Sequence, residues 1–317
     1  MGKLFKLALA LFLIGVGVFA IFTAISDEPI WGSINEEEYT YSEFVYDADE
    51  FTGFNFDFSN RNFIVRVSED DQIKVTYYET ERENITVTDT GDVLRIKDDI
   101  EWVFQLFSGW NSILTDDEIF DVELYLPTSM VYDIDFDSSN GQLTINNMDN
   151  IDTLNFSTSN GRVDLIDCSI TTINIYTSNG KIVLEDCDST SLDLDTSNGT
   201  IELTRVDVTG AIIMDTSNGR LLLTDVSALS IVGDSSNQRI VAQNIDCDDV
   251  RLDTSNGDIT LSIYGDKEDF EVYMDTSNGD MVYDGIEVSQ ERFNTGESKK
   301  IHLDTSNGDV EVIFIEE

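Results

Sequence analysis

Leu192-Asp193-Leu194-Asp195-Thr196-Ser197-Asn198-Gly199-Thr200-Ile201-Glu202-Leu203 is the stretch that decides the fold. Leu192, Leu194 and Thr196 alternate with Asp193 and Asp195; beyond the Asn-Gly pair, Ile201 and Leu203 alternate with Thr200 and Glu202. Side chains two apart share one face of a strand, so each arm has an apolar face and an acidic one. Between the arms, Asn and Gly are the residue types that best tolerate positive φ, which predicts a sharp corner.

The pattern recurs along the chain. Ser-Asn-Gly or a close variant places Asn at 140, 160, 179, 198, 218, 237, 256, 278 and 307, with spacings of 20, 19, 19, 20, 19, 19, 22 and 29. The sixth copy reads Ser236-Asn237-Gln238. Apolar pairs precede the corners (Ile134/Phe136, Leu154/Phe156, Val250/Leu252) and follow them (Val163/Leu165, Ile182/Leu184, Leu221/Leu223). A third apolar position lies seven residues after the glycine, at Met148, Cys168, Cys187, Val206, Val226 and Ile245. Because the whole unit repeats, the expected fold is all-β: a single-chain β-solenoid (β-helix) of about nine to ten coils. Like residues would stack on like at about 4.8 Å, with Asn amides bonded along the stack. A chain of nine hairpins is the alternative that Asn-Gly allows. The 22-residue spacing implies a small loop at Gly265, Asp266, Lys267 and Glu268. The 29-residue spacing implies an excursion from Glu287 to Lys300, a hairpin around Asn294, Thr295 and Gly296. Loops of this kind carry contacts on repeat proteins.

The remainder divides as follows. Residues 1–26 hold an apolar run at 4–25, preceded by Lys3 and Lys6 and followed by Asp27 and Glu28. That run is long enough for a transmembrane helix, and the flanking charges place the bulk of the chain outside the cell membrane as a single-pass protein. A cleaved signal peptide is the alternative reading, with Ala24 and Ser26 as its small residues. Residues 27–53 read as an acidic spacer, 54–130 as an N-terminal β region and cap, and 131–317 as the solenoid repeats. Phe54 to Asn60 reads as a degenerate first repeat, and strands are expected at Phe63–Val67, Ile73–Tyr78, Ile85–Thr88 and Val93–Ile96. The apolar run from Trp102 to Leu114 reads as a cap over the open end of the solenoid.

This repeat resembles a bacterial β-strand-repeat family of unknown function whose members are described as candidate adhesins. The resemblance rests on Phe58-Ser59-Asn60, on Asp121-Val122-Glu123-Leu124-Tyr125-Leu126-Pro127 and on the nine corners. It implies a cell-surface β-solenoid and brings no catalytic residues with it.

Composition narrows the function. With 18 Lys+Arg against 63 Asp+Glu, the net charge is −45, which excludes partners held by phosphate neutralisation, nucleic acid above all. One His and three Cys leave little for imidazole or thiol chemistry. Cys168 and Cys187 share a coil position and read as buried thiols, Cys247 as unpaired, and His302 as an ordinary surface residue. Asp195, Asp215, Asp234, Asp253, Asp275 and Asp304 hold the same outward place in their coils, a row that calcium would suit as a hard, oxygen-seeking ion; otherwise no cofactor is expected. The function expected is non-catalytic: a membrane-anchored binding or scaffold protein facing a cell-surface protein or a polysaccharide, with the two loops as contacts. The alternatives are a regulatory or sensory part of a cell-envelope stress system and a polysaccharide-acting β-helix enzyme.

Overall fold

The computed structural model describes residues 39–79, 83–100 and 121–316. All but Tyr39 and Thr40 belong to one unit, Tyr41–Glu317. Among the described residues the chain forms a single 21-stranded sheet.

The column is built from β8 (Tyr132–Ser138), β9 (Leu143–Thr158), β10 (Val163–Thr177), β11 (Ile182–Thr196), β12 (Ile201–Thr216), β13 (Leu221–Ser235), β14 (Ile240–Thr254) and β15 (Ile259–Tyr264). Neighbours pair in parallel, like residue on like: Leu194 lies beside Ile175 and Met214, and Ile182 beside Val163 and Ile201. Parallel pairing rules out the hairpin alternative, and the stacking in register is solenoid-like. Leu184, Leu194, Ile201 and Leu203 are fully buried, as are their counterparts along the column.

Each of β9 to β14 is a long strand with a sharp bend at a left-handed residue. Asn147, Asp167, Asp186, Arg205, Asp225 and Asn244 have φ between 53° and 56°, in the left-handed region. Asn and Asp enter that region at the lowest cost among non-glycine residues. The bend also shifts the parity of burial: in β11 the inward residues are Ile182 and Leu184 before it, Cys187 after it. This is why the third apolar position stands three residues, not two, beyond the second.

The Ser-Asn-Gly corner works differently from the sequence expectation. None of Asn140, Asn160, Asn179, Asn198, Asn218 or their glycine neighbours has positive φ. At the glycine corners the rungs approach more closely than a side chain allows, while the sixth corner accommodates Gln238. A Cβ on Gly199 would lie 1.7 Å from the Gly180 carbonyl oxygen, and one on Gly219 would lie 1.5 Å from that of Gly199. The Thr or Ser before the corner is buried in every rung from Ser138 to Thr254, and Thr196 shows how it bridges two rungs. Thr196 Oγ1 accepts from Gly199 N at 3.0 Å and donates to Gly180 O at 3.2 Å. The Asn amides form the expected ladder: Asn198 donates to Asn179 at 2.7 Å and accepts from Asn218 at 2.8 Å.

At the N-terminal end lie β1 (Thr40–Asp47), β2 (Gly53–Phe58), β3 (Asn62–Val67), β4 (Gln72–Glu79), β5 (Glu83–Asp89), β6 (Val93–Ile100) and β7 (Asp121–Leu126). The expected strands of this region are all present. β2 and β3 form the first rung, in register with β8 and with the first arm of β9, so the degenerate repeat is a true one. Aromatic rings fill it, with Phe63 stacked on Phe136 at 4.0 Å between centroids. β6 and β7 stand outside this rung in parallel. Antiparallel β5 and β4 follow, and β1, within the stretch expected to be spacer, pairs with β4. Antiparallel neighbours cover the parallel edge, which otherwise invites association.

At the C-terminal end lie β16 (Phe270–Asn278), β17 (Met281–Tyr283), β18 (Ile286–Val288), β19 (Arg292–Phe293), β20 (Lys299–Asn307) and β21 (Val310–Ile315). Here the rungs leave chain order. β14 pairs with β20 and β20 with β16, while β15 pairs with β21 and β21 with β17. The expectation that each coil sits on the one before it is therefore corrected for the last two. The excursion is not a simple hairpin either. β18 folds back on β17, but β19 pairs with β16 rather than with the β20 that follows it.

The expectation of a single-pass membrane protein is also corrected. Among the described residues no helix is long and apolar enough to cross a membrane. Residues 4–25, on which that expectation fell, and the Trp102–Leu114 run lie outside the described residues.

Candidate functional site

The alternation that sends Leu194 inward sends its neighbour Asp195 outward, and stacking makes a row of such residues. The order in space is Asp137, Ser157, Tyr176, Asp195, Asp215, Asp234, Asp253, Asp304, Asp275. All six aspartates singled out from the sequence are thus adjacent, with Asp304 ahead of Asp275. Burial, followed by the charge of neighbouring carboxylates, holds Asp195, Asp234 and Asp304 above the usual carboxylate range. The facing charges are Asp215 and Asp193 for Asp195, and Asp253 and Asp275 for Asp304. Few cations relieve the row. Arg251 Nε donates to Asp253 Oδ2 at 2.7 Å.

His302 is more than a surface residue. It sits beside Arg251 on β14 and Tyr273 on β16, with its ring 4.6 Å from that of Tyr273. Its Nε2 is 3.8 Å from Asp253 Oδ1. One ligand atom from each of Asp253, His302 and Asp304 falls within 4.8 Å of the other two. The Arg251 bond to Oδ2 leaves Oδ1 of Asp253 facing the imidazole. Two carboxylates and an imidazole can bind a divalent cation; the nitrogen donor favours a transition metal over calcium. The signal in the sequence was the i, i+2 spacing of His302 and Asp304, which puts both on one face of β20.

Two open grooves flank the column. One, of about 510 Å³, runs where Ser157 and Tyr176 interrupt the acidic row, between Asp57, Asp137 and Asp195 and a line of corner serines. Tyr176 donates its hydroxyl to Asp193 at 2.9 Å. The other, of about 450 Å³, follows the left-handed bend past Asn147, Asp167 and Asp186. Arg205 bonds to the Asp186 carboxylate at 2.5 and 2.7 Å and holds it below the usual range. The sequence reading missed this second corner, although Asn or Asp six residues after the glycine marks five of its six copies.

The two loops expected to make contacts come together. Gly265, at φ 129°, opens the first, and Asp266 caps a single 3-10 turn, Lys267–Asp269, by accepting from Glu268 N at 3.0 Å. Lys267 pairs with Asp284 at 2.8 Å. Asn294, at φ 47°, donates from Nδ2 to the Lys267 carbonyl at 2.7 Å. Gly296 N donates to Glu271 Oε2 at 3.0 Å, and Thr295 between them is exposed. Cys168 and Cys187 are adjacent in register, and all three cysteines are buried and free.

Parallel rungs in register, Thr-bridged Ser-Asn-Gly corners and an acidic row define an all-β protein of stacked repeats. The chain belongs to the Toastrack DUF4097 family, which it matches over residues 52–313. It is similar in structure to a putative adhesin from Parabacteroides merdae ATCC 43184, at 13% identity and a TM-score of 0.47, covering 88% of this chain and 97% of the other. It is also similar to a putative adhesin from Bacteroides fragilis NCTC 9343, at 12% identity and a TM-score of 0.38, covering 87% and 97%. A putative lipid binding protein from Parabacteroides distasonis ATCC 8503 is similar at 11% identity and a TM-score of 0.35, covering 87% and 97%. No curated protein matches the chain.

Proposed function

We propose that the stacked-repeat unit is a non-catalytic binding scaffold of adhesin-like role, which presents the loops at its C-terminal end to a surface protein or polysaccharide. The observation that carries this reading is the bond between Asn294 and the Lys267 carbonyl. It joins two loops that the sequence holds apart, on top of a frame whose rungs are locked in register. A rigid frame lowers the entropy lost when a loop meets its partner. Binding of the full chain to immobilised polysaccharides and surface proteins, compared with a Lys267→Glu/Asn294→Ala variant, tests it. The expected result is at least a tenfold loss with unchanged far-UV circular dichroism. Equal binding by both proteins contradicts the loop assignment.

The same reading gives the acidic row a cation. Calcium along Asp195, Asp215, Asp234, Asp253, Asp275 and Asp304 would relieve carboxylate repulsion, and the Asp253–His302–Asp304 end would also take a transition metal. Thermal unfolding in calcium, zinc or neither distinguishes these. Calcium is expected to raise the midpoint by several degrees, and Asp253→Asn/Asp304→Asn to reduce the rise. A rise with zinc alone, lost in His302→Ala, would assign the imidazole end instead. An unchanged midpoint with both ions contradicts the cation row.

A further inference from the structure

The last two rungs of the column are filled out of chain order. The amide ladder runs Asn237, Asn256, Asn307, Asn278, with bonds of 3.0, 2.9 and 2.9 Å. β16 and β20 both end in Asp-Thr-Ser-Asn-Gly, at 275–279 and 304–308. Their contacts to the neighbouring rung are of one kind. Thr305 donates to the Gly257 carbonyl at 2.9 Å, and Thr276 to the Gly308 carbonyl at 2.8 Å. Val272 and Met274 are buried like Ile301 and Leu303. β16 therefore carries the Asn, Thr and apolar groups that the edge of β14 uses to hold β20; the Lys299–Asp248 and His302–Asp253 pairs belong to β20 alone.

Every earlier repeat from β9 onward stacks on its predecessor, and by that rule the strand for β14 is β16. It also leaves the ribosome before β20. The coil that ends at Asn278 has 22 residues rather than 19 or 20. The added length forms the turn at Gly265–Asp269 and spans a step of two rungs, about 9.6 Å, instead of about 4.8 Å.

We propose that the edge of β14 is a seat for which two strands of this chain compete: β16 takes it first, and β20 then displaces β16 outward by one rung. The observed order wins because it finishes the end. With β16 and β17 outermost, β19 pairs antiparallel with β16 and β18 with β17. Were β20 and β21 outermost, they would cover the edges that β19 and β18 need and leave a parallel edge open. The segment from Asn294 to Ser298 is the tether across which β20 enters; it is exposed, with Asn294 and Gly296 at φ 47° and 104°.

Two full-length double variants test this, Asn256→Cys/Asn278→Cys and Asn256→Cys/Asn307→Cys. Cys168 and Cys187 are replaced by Val, as at Val206 in the same place of the next rung, and Cys247 by Ala, as at Ala228 beside it. Positions one rung apart are within disulfide reach, and positions two rungs apart are not. During refolding from denaturant with oxidant added at successive times, the 256–278 disulfide is expected to trap early and fade. The 256–307 disulfide should rise with the same time constant to completion. A 256–307 bond that is complete from the first time point, with 256–278 never above background, overturns the proposal. On the unsubstituted chain, pulsed hydrogen exchange should protect Val272–Met274 before Ile301–Leu303. Protection of both segments in one phase would overturn it equally.

Discussion

Thr196, Asn198 and Gly199 each hold the corner by a different force, so their substitutions separate. Thr196→Val keeps the shape of a buried side chain but leaves Gly199 N and Gly180 O without their partner. Orphaned buried groups cost about 1–3 kcal/mol each, so the variant is expected to lose about 2–6 kcal/mol in chemical denaturation. Gly199→Ala puts a carbon 1.7 Å from a backbone oxygen that cannot swing aside. Overpacking of this kind costs about 1–3 kcal/mol, or more where backbone must move. Asn198→Ala removes the exposed bonds to Asn179 and Asn218 from the amide ladder, a loss of about 1–2 kcal/mol. Equal stability of the Gly199→Ala variant and the unsubstituted chain would contradict the account of the corner. The sequence pointed to Asn-Gly corners but for another reason, since a preference for positive φ and a need for close approach select the same residue. Only the register of the Gly180 carbonyl over Gly199 tells the two apart.

At the scale of the element, the acidic row acts as one titrating strip. Asp195, Asp234 and Asp304 have raised pKa values in the fold. A raised carboxylate binds its proton more tightly when folded, so the row destabilises the protein wherever it is ionised. That penalty falls as pH drops through the raised values and is gone below the ordinary carboxylate pKa of about 4. The thermal midpoint is therefore expected to rise on mild acidification from neutral pH, and less so in an Asp195→Asn/Asp234→Asn variant. Added salt should raise it at neutral pH by screening the same repulsion. Asp70, Asp186 and Glu271 are held low by Lys74, Arg205 and Lys300 and oppose this trend at more acidic pH. A midpoint that falls steadily from neutral pH would contradict the strip. The row was legible because alternation fixes which face a residue takes. The second corner was less so: its Asn and Asp residues occur in a chain rich in both, and Arg205 breaks the pattern while supplying bonds to Glu185 and Asp186.

For the whole unit, the repeat dictates stacking but not the order of the stack. The middle rungs from β9 to β14 follow chain order because each is tethered to the next by a corner too short to skip one. At the ends, the 80 residues between Asn60 and Asn140 and the 29 between Asn278 and Asn307 loosen that constraint. Identical Asp-Thr-Ser-Asn-Gly segments then leave the choice to capping, which no local pattern records. Distances between spin labels placed at Asn140 and at Asn218, Asn256, Asn307 or Asn278 measure the stack directly. At about 4.8 Å per rung they should be about 19, 29, 34 and 38 Å, with the label at 307 nearer than the one at 278. Distances that do not grow along this series, or that place the corners apart rather than in one row, would contradict the column itself.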